Sequence, residues 1–146
     1  MEENKIKHLE FIQNIITRMN TNSFQIKGMA ITIVSALIAI YASTSNVVFI
    51  FIGIFPTILF WFLDAYYLQQ EKKFRGVYDN VLGIRKDVEV QSFEMPIDKM
   101  KGQEYCFCNA FWKKTIVWLY GSIIFCLIIS AILLQLSECV IIIKCK

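Results

Sequence analysis

GMAITIVSALIAIYASTSN (residues 28–46) runs directly into VVFIFIGIFPTILFWFL (47–63), and neither stretch holds a charged side chain. A helix rises about 1.5 Å per residue and the hydrocarbon core of a bilayer is roughly 30 Å thick, so about 20 apolar residues cross it. The two stretches together are long enough to cross twice. The polar cluster Ser43, Thr44, Ser45 and Asn46 marks a tight turn between them, which makes the pair a helical hairpin. A third uncharged stretch, TIVWLYGSIIFCLIISAILLQL (115–136), is long enough for one more crossing. The composition agrees: a chain of 146 residues that is 56% hydrophobic and 18% charged is too apolar for an ordinary soluble domain of this size. The sequence therefore predicts an all-α integral membrane protein with three transmembrane helices, the first two a hairpin with cytosolic helical extensions.

Orientation follows from the cations. Lys5, Lys7, Arg18 and Lys27 precede the first span; Lys72, Lys73, Arg75, Arg85, Lys86, Lys99, Lys101, Lys113 and Lys114 lie between the second and third. Only Lys144 and Lys146 lie beyond, and the turn at 43–46 has none. By the positive-inside rule the N-terminus and the long loop are cytoplasmic and the C-terminus is outside, as in a multi-pass protein of the cell inner membrane. The start, MEENKIKHLE, mixes both signs and the first apolar run begins after residue 27, unlike a cleavable signal peptide.

The flanks of the hairpin carry helical periodicity. Ile6, Leu9, Ile12, Ile16 and Met19 recur at spacings of three and four, which predicts an amphipathic helix entering the first span. Tyr67, Phe74, Val77, Tyr78 and Val81 repeat similarly beyond the second, to an end near Gly83. The chain thus divides into a cytosolic amphipathic helix (1–27), the hairpin with its extension (28–83), a cytosolic loop (84–114), and the third span with an external tail (115–146). In the loop, alternation at Val88 and Val90 and at Tyr105 and Phe107, punctuated by Pro96 and Gly102, fits a small hairpin or a surface-lying flap. Phe111, Trp112, Trp118 and Tyr120 read as interfacial anchors.

Lys27 and Asp64 stand at similar distances on either side of the turn. One reading joins them as an interfacial ion pair; the other lets each side chain snorkel to headgroups. Inside the spans, small residues recur at helical spacing: Gly28, Thr32, Ser35, Ala39 and Ala42 on the first helix, Gly53 and Thr57 on the second, Ser122, Cys126 and Ser130 on the third. Such stripes let membrane helices approach closely, because lipid is as apolar as leucine and association rests on packing. Again two readings stand, packing among the three helices of one chain and lining of a pore between subunits. Three helices cannot enclose a channel alone, so conduction implies an oligomer. Pro56, in mid-span, reads as a tolerated kink before a gate.

The chain is poor in chemistry. The lone His8 falls on the amphipathic helix with no nucleophile near it in sequence and reads as a surface residue; no enzyme signature is present. Cys106 and Cys108 lack a second ligand pair for zinc. Cys139 and Cys145 are about 9 Å apart on a helix, too far to bridge each other. No catalytic, metal or cofactor site is expected. The partners expected are membrane lipids, further copies of the chain and a cytosolic protein or signal, with no nucleic acid.

The order of an amphipathic helix running through RMNTNSF (18–24) into a small-residue span, then a short turn, then a second span emerging through WFLDAYYLQQE (61–71) into a charged helix, resembles small bacterial membrane proteins of defence and conflict systems. It is similar in plan to the SLATT-type proteins over roughly residues 5–83, with the third span additional to that plan. The resemblance implies a pore-like, membrane-perturbing effector of antiviral defence and assigns no functional residues. A non-conducting anchor or assembly subunit for a cytosolic partner is the alternative.

Overall fold

The computed structural model describes residues 2–44, 46 and 48–144, with side chains described through Leu133 and at Gln135 and Leu136. Among the described residues there are four α-helices: α1 (Glu2–Thr44), α2 (Val48–Leu82), α3 (Phe107–Phe111) and α4 (Lys114–Lys144). Two single 3-10 turns, Ile97–Lys99 and Gln103–Tyr105, punctuate the segment between α2 and α3. Among the described residues there is no strand, and three helices are long and apolar enough to cross a membrane.

α1 and α2 form one antiparallel hairpin along most of their length. At its tip, Asn46 accepts the Val48 N–H through its side-chain oxygen (3.1 Å) and the Phe49 N–H through its carbonyl (3.1 Å), so the polar residue that signals the turn also starts α2. α1 runs unbroken past residue 27, and α2 passes through Pro56 without a break. α2 stops where Gly83 takes a left-handed φ of 82°. There the Ile84 and Arg85 N–H groups both turn back to the Asp79 carbonyl (3.0 and 3.2 Å), the glycine-terminated helix end the sequence predicts.

Three apolar clusters succeed one another along this hairpin. At the polar end, Ile12, Ile16, Phe74, Val77, Met100 and Tyr105 form the core of a head, with Met19, Tyr78, Val81, Val88 and Val90 around it. Each fully buried side chain of this kind stabilises the head by about 1.5–3 kcal/mol. In the middle, Ala30, Ala65, Ile116 and Tyr120 pack under Trp61, Phe107 and Phe111. Toward the tip, Val34, Tyr41, Ile50 and Leu127 close the space between the three long helices. α4 lies chiefly on α2 and touches α1 only lightly.

The segment between α2 and α3 is an irregular strap folded onto the head, of the two expected forms the flap and not the hairpin. Side chains of α2 hold it and the α3 that follows: Asn80 Oδ1 accepts the Val88 N–H (3.1 Å), Gln69 Nε2 donates to the Tyr105 carbonyl (2.9 Å), and Trp61 Nε1 donates to the carbonyl of Phe111 at the end of α3 (3.1 Å). Arg85 spans back across it to Glu104 and to the Tyr105 hydroxyl (2.9 Å).

Three expectations fail here. His8 is buried, 2% exposed, because the strap turns over it. Phe93 N–H donates to Nδ1 at 3.4 Å and the two rings lie 5.6 Å apart, while Phe93 adopts a φ of 63°, rare for a non-glycine residue. Tyr120 is no interfacial anchor either; it lies fully buried against Trp61, whereas Trp112 and Trp118 are 68% and 77% exposed. On α1 the apolar face is rotated from the expected one: Ile12 and Ile16 are buried but Ile6 is exposed, and His8, Ser23 and Ile26 complete the face.

Candidate functional site

Where the head meets the apolar length of the hairpin, α1 turns Ser23 and Lys27 to the same side, four residues being just over one helical turn. Opposite them α2 presents Asp64, with no side-chain exposure at all. Lys27 Nζ lies 2.7 Å from Asp64 Oδ1 and 2.6 Å from Ser23 Oγ, and Ser23 Oγ donates to the same carboxylate oxygen. The ion pair read from the sequence is therefore present, and snorkelling is not what Lys27 does. Its side chain keeps 26% exposure, so the pair opens to the surface only on the lysine side.

A lone carboxylate here would be expensive, several kcal/mol even after relaxation. Pairing with Lys27 neutralises it, and the serine hydroxyl adds a second donor to the same oxygen. The other oxygen, Oδ2, is buried without a hydrogen-bond partner among the described residues, as is the Tyr120 hydroxyl of α4. Tyr120 packs at this level of the hairpin, in one cluster with Ala30 and with Ala65, the residue after Asp64. Three helices thus converge at this level: α1 supplies a cation and a hydroxyl, α2 the acid, α4 a phenol.

The sequence names two of these four groups. Ser23 sits in the polar run 18–24, and its spacing of four from Lys27 is a signal for a shared face. Nothing local marks Tyr120, because its neighbours lie across a helix interface.

The small-residue stripes separate into an inner and an outer set. Gly53 and Thr57 are buried: a methyl at Gly53 would meet Leu37 and Leu127 at 3.5 Å, and the Thr57 hydroxyl donates to the Gly53 carbonyl (2.8 Å). On α2, then, packing within one chain is correct. Gly28, Thr32, Ser35, Ala39 and Ala42 of α1 are exposed, on the opposite side of the helix from Ala30, Val34 and Tyr41. Intrachain packing is overturned there, since roughly 100° per residue sets those two faces apart. On α4, Ser122 and Cys126 are exposed and Ser130 partly so.

The two outer stripes are neighbours. Ser35 of α1 and Ser122 and Cys126 of α4 line one open groove of about 170 Å³ with Ile31, Val34, Ile38 and Ile123. Ser122 of the groove donates to the Leu119 carbonyl (2.7 Å), and farther along the two stripes Thr32 donates to the Gly28 carbonyl (2.9 Å) and Ser130 to the Leu127 carbonyl (2.8 Å). The groove is accordingly lined by small, nearly apolar surfaces, suited to a close-packed helix and poorly suited to ion coordination.

Cys106 and Cys108 are exposed free thiols. Cys106 precedes α3, and the backbone N–H groups of Cys108 and then Asn109 hold its thiol below the ordinary range. Cys139 has no described side chain, and Cys145 lies outside the described residues.

Comparison with protein-family models, with curated proteins and with solved structures finds no match to this chain.

Proposed function

We propose that this chain is a multi-pass protein of a bacterial inner membrane, with its head in the cytosol and its C-terminus outside. We further propose that it assembles with copies of itself into a pore-forming or membrane-perturbing effector of a defence system. The observation that carries the reading is the outer small-residue face of α1, which continues into the open groove shared with Ser122 and Cys126 of α4. A lone monomer would leave to lipid the surfaces best shaped for another helix. Within one chain, Val34, Tyr41, Ile50 and Leu127 fill the space between the long helices, so a conducting path must lie between copies. α1 and α2 run unbroken from the head into the apolar region, which supports transmission of a head-bound signal to that interface. The assignment to defence rests on the resemblance in plan alone.

A second reading, a non-conducting anchor presenting its head to a soluble partner, is favoured by the head itself, which has its own core and a strap held by α2.

Ion flux from dye-loaded liposomes separates the two. An effector gives flux that Ser35→Leu and Thr32→Leu abolish, together with an oligomeric mass in detergent. A monomeric, silent protein whose head still captures a partner would move the assignment to the anchor.

A further inference from the structure

His8 lies in the head, 2% exposed, under the middle of the strap. Its Nδ1 takes the Phe93 N–H at 3.4 Å, and its Nε2 is buried with no hydrogen-bond partner among the described residues. An imidazole that accepts at Nδ1 is neutral and carries its one proton on Nε2. A second proton would turn Nδ1 into a donor aimed at a donor. It would also leave a buried cation with two N–H groups and nothing to take them.

The strap closes over this ring under strain. Phe93 holds a φ of 63°, a left-handed backbone rare for a side chain of its size, and its ring lies tilted against the imidazole at 5.6 Å. Such a conformation persists only while the surrounding contacts outweigh its cost.

No acid stands ready to receive the charge. In the cavity beside His8, Glu2 and Lys5 of α1 bring one charge of each sign, while Asn80 of α2 and Gln91 and Ser92 of the strap bring none. Lys7, next to His8, is paired with Glu3, and Asp79, next to Asn80, stands 3.9 Å from Arg85. On the strap, Glu89 is exposed, and Glu94 is occupied by the Gln91 N–H (3.1 Å) and by Lys99 (3.1 Å).

We propose that His8 is a proton-operated latch: the neutral ring holds the middle of the strap closed, and protonation releases residues 90–95 and uncovers the side of the head core on which Val90 and Met95 pack. Histidine ordinarily changes charge between about pH 5 and 8, where no other common side chain does. The open strap binds one proton more than the closed one, so closure is favoured at higher pH and lost as pH falls. Once the ring titrates, the open population rises by up to about tenfold per pH unit. The two ends of the strap stay in place, since Asn80 holds Val88 and Gln69 holds Tyr105 without a histidine. The latch belongs to the head alone and holds whether or not copies of the chain form a pore.

The test uses the full-length protein in detergent micelles, made without a histidine tag so that His8 is its sole imidazole. Hydrogen–deuterium exchange, corrected at each pH for the rate of unstructured peptide, reports the strap, and NMR of isotope-labelled histidine reports the ring. Between about pH 7.5 and 5.5 wild type loses about tenfold protection in 90–95 and keeps it in 103–111, with a midpoint that matches the ring's titration. His8→Gln, whose amide oxygen can accept the Phe93 N–H but does not titrate, stays protected throughout. Unchanged protection in wild type, or a loss that His8→Gln shares, overturns the proposal. A ring that carries its proton on Nδ1 at neutral pH overturns it too, as does an exchange midpoint displaced from the ring's titration by about one pH unit or more. Those last two outcomes are read on wild type alone, so the proposal stays falsifiable if the variant does not fold.

Discussion

Replacing Lys27 by methionine keeps most of the side-chain volume but removes the one cation among the described residues that reaches Asp64, leaving a fully buried carboxylate with Ser23 as its one donor among them. Breaking a buried pair from one side costs about 3–5 kcal/mol, because the remaining charge is stranded. Lys27 keeps 26% of its side chain exposed and Ser23 still donates, so the lower end applies, about 3 kcal/mol. Asp64→Leu strands nothing comparable, since the lysine can swing to water, and about 1–2 kcal/mol is expected. Removing both charges with Lys27→Met/Asp64→Leu returns stability to within about 1 kcal/mol of wild type, as an apolar replacement of a buried pair often does. The three variants and wild type form a cycle that is measured by denaturant titration in detergent micelles, followed by tryptophan fluorescence from Trp61 beside the junction. A coupling of about 2 kcal/mol or more supports the account. If Lys27→Met costs under about 1 kcal/mol and the double variant is no more stable than that single one, the carboxylate is not stranded and the reasoning is wrong.

Four further outcomes are expected. Gly76→Ala places a methyl 2.9 Å from Tyr105 Cζ and 3.1 Å from Met100 Sδ, displacing the phenol that Arg85 holds. The strap should lose about 1–3 kcal/mol and be cleaved faster by limited proteolysis within 84–105; an unchanged cleavage rate would contradict the packing described. Gly53→Leu, at a buried contact with Leu37 and Leu127, lowers monomer stability by about 1–3 kcal/mol. Ser35→Leu, on the outer face, shifts monomer stability by less than about 0.5 kcal/mol yet abolishes the oligomer seen by cross-linking at Cys126 in a variant lacking the other cysteines; the reverse pattern would put the assembly surface elsewhere. Glu104 and Glu94 titrate below the ordinary carboxylate range, the first through its hydrogen bond to Arg85, the second through the Gln91 N–H and then Lys99. Groups with depressed folded values stabilise fully above about pH 4.3 and lose that contribution as pH falls through the lowered values. Strap cleavage by an acid-active protease should therefore rise as pH drops below about 4, and Glu104→Gln should flatten that rise.

What the sequence determined by itself is whatever depends on near neighbours along the chain. Uncharged runs long enough for a bilayer, the polar cluster ending in Asn46, and Gly83 after the last periodic apolar residue define three long helices and a hairpin. Even Lys27 and Asp64 could be set at equal height in advance, because an antiparallel hairpin with a known turn fixes which residues stand level, though that they pair and do not snorkel was decided by the fold. What only the tertiary structure decided is which face of each helix is covered. A period of 3.6 yields a stripe of small residues on α1 but not the side on which α2 lies, so the stripe of Gly28 and Ser35 could not be told from an inward one. His8 and Tyr120 are hidden by segments distant in sequence, the strap at Phe93 and the aromatic stack at Trp61. Local backbone preference sets where helices begin and end; burial is a property of pairs of surfaces, and those surfaces meet only when the chain has folded.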